Sequence, residues 1–186
     1  MNYARPGALK PWTVEPGGAM SDTATTAIPV ESAGRVGRRQ GKVSELTTIL
    51  KLKPGGAERL RAKLADPGAN RANEAAERVG TVHDMRFVIF DNDTTLLFCT
   101  AYDGDWDPYI ADFARLVPEM LDFIFEEVQG WPGLAANPKQ TTDFIAAHQV
   151  TADAWYCAYP DATVKEVHRG QRIARAFDGL LDEAQG

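Results

Sequence analysis

The chain has 186 residues, 44% of them hydrophobic and 25% charged, with a net charge of −6 at pH 7. This length supports one well-buried core, and the acidic balance argues against a phosphate-tracking surface, which needs clustered Lys and Arg to displace counterions. No stretch approaches the roughly 20 apolar residues that span a bilayer and no apolar run follows a basic start, so the expected location is the cytoplasm. The expected partner is a small molecule or another protein, with no nucleic acid and no membrane.

Residues 1–41 hold Pro6, Pro11, Pro16 and Pro29, several glycines, and the basic Arg35, Arg38 and Arg39. Such a composition buries too little apolar surface to offset its ordering entropy. It reads as an arm, flexible or docked on a partner through Tyr3, Leu9 and Trp12, ahead of a domain over 42–186. Residues 43–52 alternate, with Leu46, Thr48, Leu50 and Leu52 on one side, and predict the first strand. Pro54-Gly55-Gly56 breaks it. Leu60 and Leu64 then mark one stripe of a short helix that Pro67-Gly68 ends, and residues 70–78 are helical or irregular.

Residues 81–90 and 94–102 are rich in β-branched and aromatic side chains and flank Asp91-Asn92-Asp93, which predicts a hairpin. The implied register sets Ile89 opposite Leu96, Phe87 opposite Phe98, Met85 opposite Thr100 and His83 opposite Tyr102 on an apolar face. Val88 with Leu97, Arg86 with Cys99, Asp84 with Ala101 and Val82 with Asp103 form the other, mixed face. Asp107-Pro108 starts a second helix that Pro118 kinks or splits and Gly130 ends. Residues 139–149 read as a short extra helix and 154–159 as a fourth strand. Thr163 and Glu166 form a capping box that opens a final helix with Val164, Val167, Ile173, Ala174, Phe177 and Leu181 on its apolar side. The order βαββαβα is the ferredoxin-like α+β solution: a four-stranded antiparallel sheet with helices on one face and an extra C-terminal helix. The bare sheet face, with Ile49, Val88 and Leu97, predicts a homodimer.

The run LLFCTAYDGDWDPYIADF, preceded by VHDMRFVIF and followed by AWYCAYPDATVKEV, resembles the dimeric α+β barrel superfamily and, within it, a poorly characterised bacterial peroxidase-like group. The resemblance covers about residues 43–184 and implies a small-molecule pocket. Proteins of this superfamily include cofactor-free monooxygenases, enzymes that dehydrate or decarboxylate aromatic polyketide-like compounds, and haem peroxidases. The haem enzymes carry a GxxDG motif, whereas here the string is Thr100-Ala101-Tyr102-Asp103-Gly104, without the first glycine.

Three candidates carry the chemistry. His83 and Asp103 are acid/base candidates, an imidazole titrating near neutrality and a carboxylate at a strand end, although each also suits a structural role. Arg86 is a substrate anchor or the ion-pair partner of Asp84 or Glu45. Tyr102, Trp106, Tyr109, His148 and Tyr156 are expected around a ligand, against the alternative that strand aromatics fill the core. No nucleophile elbow, P-loop or dinucleotide fingerprint occurs, and Cys99 and Cys157 lack zinc-ligand spacing, so no metal site is expected. The leading expectation is a cofactor-free enzyme that performs proton transfer or oxygenation on an aromatic or polyketide-like compound. The alternatives are a haem protein with His148 or His83 as axial ligand and a non-enzymatic binding protein.

Overall fold

Alternation of apolar and polar side chains produces three nine-residue strands that carry the fold: β3 (Val43–Lys51), β4 (Val82–Phe90) and β5 (Thr95–Asp103). Two short strands precede them, β1 (Val30–Ser32) and β2 (Arg38–Gln40). The computed structural model describes residues 30–32, 36–66 and 72–185. Tyr3, Leu9 and Trp12 lie outside them. The sheet is five-stranded and antiparallel, in the order β1-β2-β3-β5-β4. It therefore has one strand more than the sequence predicts and begins upstream of the expected boundary at Lys42.

The hairpin register follows the side-chain pattern from Phe90 opposite Thr95 to Asp84 opposite Ala101. Its turn places Asp91, Asn92 and Asp93 at φ of 55°, 49° and 64°, a left-handed conformation that Asp and Asn tolerate through local hydrogen bonds. Thr94 closes the turn, its Oγ1 donating to the Asp91 carbonyl at 2.7 Å.

Helices cover the inner face: α1 (Gly56–Ala65), α2 (Ala72–Val79), α3 (Trp106–Leu116), α4 (Pro118–Phe125) and α5 (Pro138–Ala147). α3 starts just ahead of the expected Asp107, with Asp105 at its N-cap position and Pro108 in the first turn. There the missing donor costs little. Pro118 opens α4 after Val117 leaves helical geometry, so the long predicted helix is split. Leu60, Phe113, Ile124 and Phe125 pack against Leu46, Leu50 and Leu96, all nearly inaccessible. Phe98 stacks on Phe87 at 5.1 Å and meets Phe125 edge-on at 5.2 Å.

The predicted fourth strand at 154–159 is not a strand. The free edge of β3 is already occupied: β2 pairs with residues 43–45, and residues 148–150 bond further along, with Ile49 N donating to His148 O at 3.1 Å and Val150 N to Thr47 O at 2.9 Å. A row of backbone groups can be paired once. The 154–159 segment therefore joins no strand ladder, and Tyr156 is 84% exposed. The last helix, α6 (Val164–Gln185), begins at the expected capping box, with Glu166 N donating to Thr163 Oγ1 at 3.3 Å and Thr163 N to Glu166 Oε2 at 2.8 Å. Among the described residues no helix is long and apolar enough to cross a membrane.

Candidate functional site

Strand β4 carries one extra residue relative to β5. Val82 lies opposite Tyr102 and Asp84 opposite Ala101, which leaves His83 as the unpaired residue of a β-bulge. A bulge re-aims the side chain it carries. His83 Nε2 thereby reaches Asp103 Oδ1, at the end of β5, at 2.7 Å.

Asp103 is held from several sides. Its backbone N donates to Thr81 O at 2.8 Å, and its Oδ2 accepts the Val164 N–H, one of the donors that a helix start leaves unsatisfied, at 3.1 Å. Gly104, at φ 79°, makes the turn that follows. The Asp103 side chain is 12% exposed and that of His83 is 23% exposed. A carboxylate accepting from Nε2–H sets the neutral imidazole as the tautomer with its lone pair on Nδ1. Among the described residues nothing else bonds to this ring, so the Nδ1 edge is available to a ligand.

His83 lines one of two contiguous clefts, and Asp103 is tied to the other through Val164, whose N–H it accepts. One, of about 290 Å³, runs between β4 and the α1/α2 side and is lined by His83, Asp84, Met85, Leu64 and Asn73. The other, of about 650 Å³, lies between α2 and the start of α6, with Glu77, Val164, Lys165 and His168 in its wall. Asn73, Ala76 and Val82 border both. Asn73, Ala76 and Glu77 follow i, i+3, i+4 spacing, so they share the face of α2 that Gly80 turns back along β4. That spacing was legible in the sequence, but its partner surface was not, and His168 reads there as a solvated residue. A separate groove of about 250 Å³ between α2 and α4 offers Glu74, Arg78 and Glu119 but no imidazole or nucleophile.

The remaining candidates lie elsewhere. Arg86 pairs with Asp84 at 3.3 Å, both largely exposed, on the outer sheet face. Tyr102 does not face His83: the bulge puts Val82 opposite it, and its ring stacks inside the core on Tyr109 at 3.9 Å. Burial pushes both phenols well above their ordinary range. The Tyr109 hydroxyl shares a hydrogen bond with Thr100 Oγ1 at 3.0 Å, whereas the Tyr102 hydroxyl and Trp106 Nε1 have no partner among the described residues. Trp106 and Tyr109 border a core void of about 10 Å³, the room of a single water. His148 terminates α5, its Nδ1 2.8 Å from Phe144 O and its ring against Phe144 at 4.2 Å. Tyr156 is in the exposed 154–159 segment. The structure thus brings His83 and Asp103 together and leaves Tyr102, Trp106, Tyr109, His148 and Tyr156 away from them.

Among the described residues no group of three or more His, Cys, Asp and Glu side chains is placed to hold a metal ion. Cys99 and Cys157 are half-buried free thiols. Compared with protein-family models, with curated proteins and with solved structures, the chain matches none of them.

Proposed function

We propose that this protein is a cofactor-free enzyme that abstracts a proton from a small organic substrate, with His83 as general base and Asp103 as the carboxylate that orients it. The observation that carries this reading is the 2.7 Å contact between His83 Nε2 and Asp103 Oδ1, with His83 lining a cleft of about 290 Å³. A base within hydrogen-bond reach of its substrate and held in one tautomer contributes about 10²–10⁴-fold to proton transfer. The cleft wall is mixed, with Leu64, Val82 and Met85 beside Asn73 and His83, which suits an aromatic or polyketide-like compound bearing a carbonyl. Oxygenation, the other reaction expected of this class, would need dioxygen as co-substrate to oxidise the carbanion and is not part of the step proposed for this dyad. Arg86, 68% exposed, is better placed to pair Asp84 than to anchor a substrate.

The order β3-β5-β4 with helices on one face supports the ferredoxin-like reading, and the outer face, where Val88 is 46% and Ile49 39% exposed, supports pairing with a second copy. The haem reading has less behind it. The core void beside α5 is about 10 Å³, with no room for a macrocycle.

Deuterium exchange from solvent into a panel of aromatic 1,3-dicarbonyl compounds, followed by NMR, tests the proposal. Wild-type protein should accelerate exchange into at least one of them, and His83→Ala should lose about 10²-fold or more of that acceleration. An unchanged rate in His83→Ala would remove the histidine from the mechanism.

A further inference from the structure

Helix α6 spans 22 residues, about 33 Å at 1.5 Å per residue. Only its first turn belongs to the body. Val164 is buried and Val167 half-buried, whereas residues 168–184 are all exposed. An isolated helix of this kind is marginal in water, because most helical stability in proteins comes from burying an apolar face. α6 has such a face, uncovered by any described residue. Ile173, Phe177 and Leu180 are spaced as d, a and d of a heptad, with Leu181 beside them, and they are 43–64% exposed.

The charges along α6 indicate what covers this face. Lys165, Arg169, Arg172 and Arg175 lie in residues 164–175 with Glu166 as the one acid, while Asp178, Asp182 and Glu183 follow with no basic residue among them. That order is unfavourable within a single helix, whose dipole prefers anions near the N-terminus and cations near the C-terminus. It is favourable between two copies turned end for end.

We propose that α6 pairs antiparallel with α6 of a second copy about a two-fold axis, a contact separate from the outer sheet face. In this alignment Ile173 packs against the partner's Phe177, and Leu180 lies over the partner's Gly170. A Cβ built at Gly170 meets nothing within 4 Å, so the approach is open. Arg169 and the partner's Glu183 occupy facing g positions. The two-fold axis repeats each contact, as an isologous interface requires.

Sedimentation of the full chain at micromolar concentration tests this. Wild type should sediment at a multiple of 20.3 kDa, and Phe177→Glu, at an exposed position that leaves the core untouched, should halve the mass of the assembly. Arg169→Glu should weaken association about tenfold by opposing like charges, and Arg169→Glu combined with Glu183→Arg should restore it. Val88→Glu, on the sheet, should leave the response to Phe177→Glu intact. Equal masses for wild type and Phe177→Glu would overturn the proposal, and would be seen if α6 instead docks on residues 1–29 of its own chain or on another protein. Failure of the double charge exchange to restore association would reject the antiparallel alignment.

Discussion

Asp103→Asn preserves the size of the side chain and removes its charge. In the native protein Oδ1 accepts from His83 Nε2 at 2.7 Å and Oδ2 accepts from Val164 N at 3.1 Å. An amide has one acceptor oxygen and one donor nitrogen, so it cannot serve both donors as they stand. The Val164 N–H is fixed by the backbone, whereas an imidazole can carry its proton on either nitrogen. The amide oxygen should therefore turn to Val164, and its NH₂ to His83, whose proton then moves from Nε2 to Nδ1. The ring would offer the cleft a donor where the base needs a lone pair. Two hydrogen bonds to an ionised acceptor, each roughly 1.5–3 kcal/mol, become two neutral ones of about 1 kcal/mol. The loss is about 2 kcal/mol, or about 4–8 °C in Tm for a chain of this size. Nitrogen-15 NMR of the histidine ring reads the tautomer directly, and thermal unfolding reads the stability. A proton that stays on Nε2 in the variant, or an unchanged Tm, would refute the dyad geometry.

Arg86→Ala should change stability by less than about 0.5 kcal/mol in urea titration, because its pair with Asp84 is solvent-exposed. Asp122→Ala should cost about 3 kcal/mol by the same measurement, since Asp122 accepts from Trp131 Nε1 at 2.8 Å and from the Leu134 and Ala135 backbone N–H groups, which would lose their partner. Burial raises the Glu45 carboxyl above its ordinary 4.5, against weaker opposing hydrogen bonds from Arg38 N and Thr47. The protonated form is thus favoured in the folded state. Its contribution is fully present below 4.5 and is lost as the pH rises through the folded value, so Glu45→Gln should lose less stability than wild type between pH 4.5 and neutrality. Equal slopes for the two proteins in that window would contradict the assignment.

What the sequence determined by itself is local and periodic. Alternation placed β3, β4 and β5, and cross-strand complementarity set the hairpin register from Ile89 opposite Leu96 to Asp84 opposite Ala101, because a one-residue slip would turn every apolar side chain to the wrong face. Pro118, with its missing donor, marked the break between α3 and α4, and Thr163 with Glu166 marked the start of α6. His83 and Asp103 were legible as candidates one by one, from an imidazole in a strand and a carboxylate at a strand end. Their contact was not. It depends on a bulge, and strict alternation carried through His83 instead predicts a pair with Tyr102, a residue that the bulge leaves in the core. The edge of β3 was decided in the same way. Residues 154–159 have the composition of a strand, but 38–40 and 148–150 hold the backbone groups that a strand there would need. Competition among distant segments for one row of donors and acceptors leaves no mark on the residues that lose it. The cleft beside the dyad likewise arises only when α2, β4 and the first turn of α6 are brought together in space.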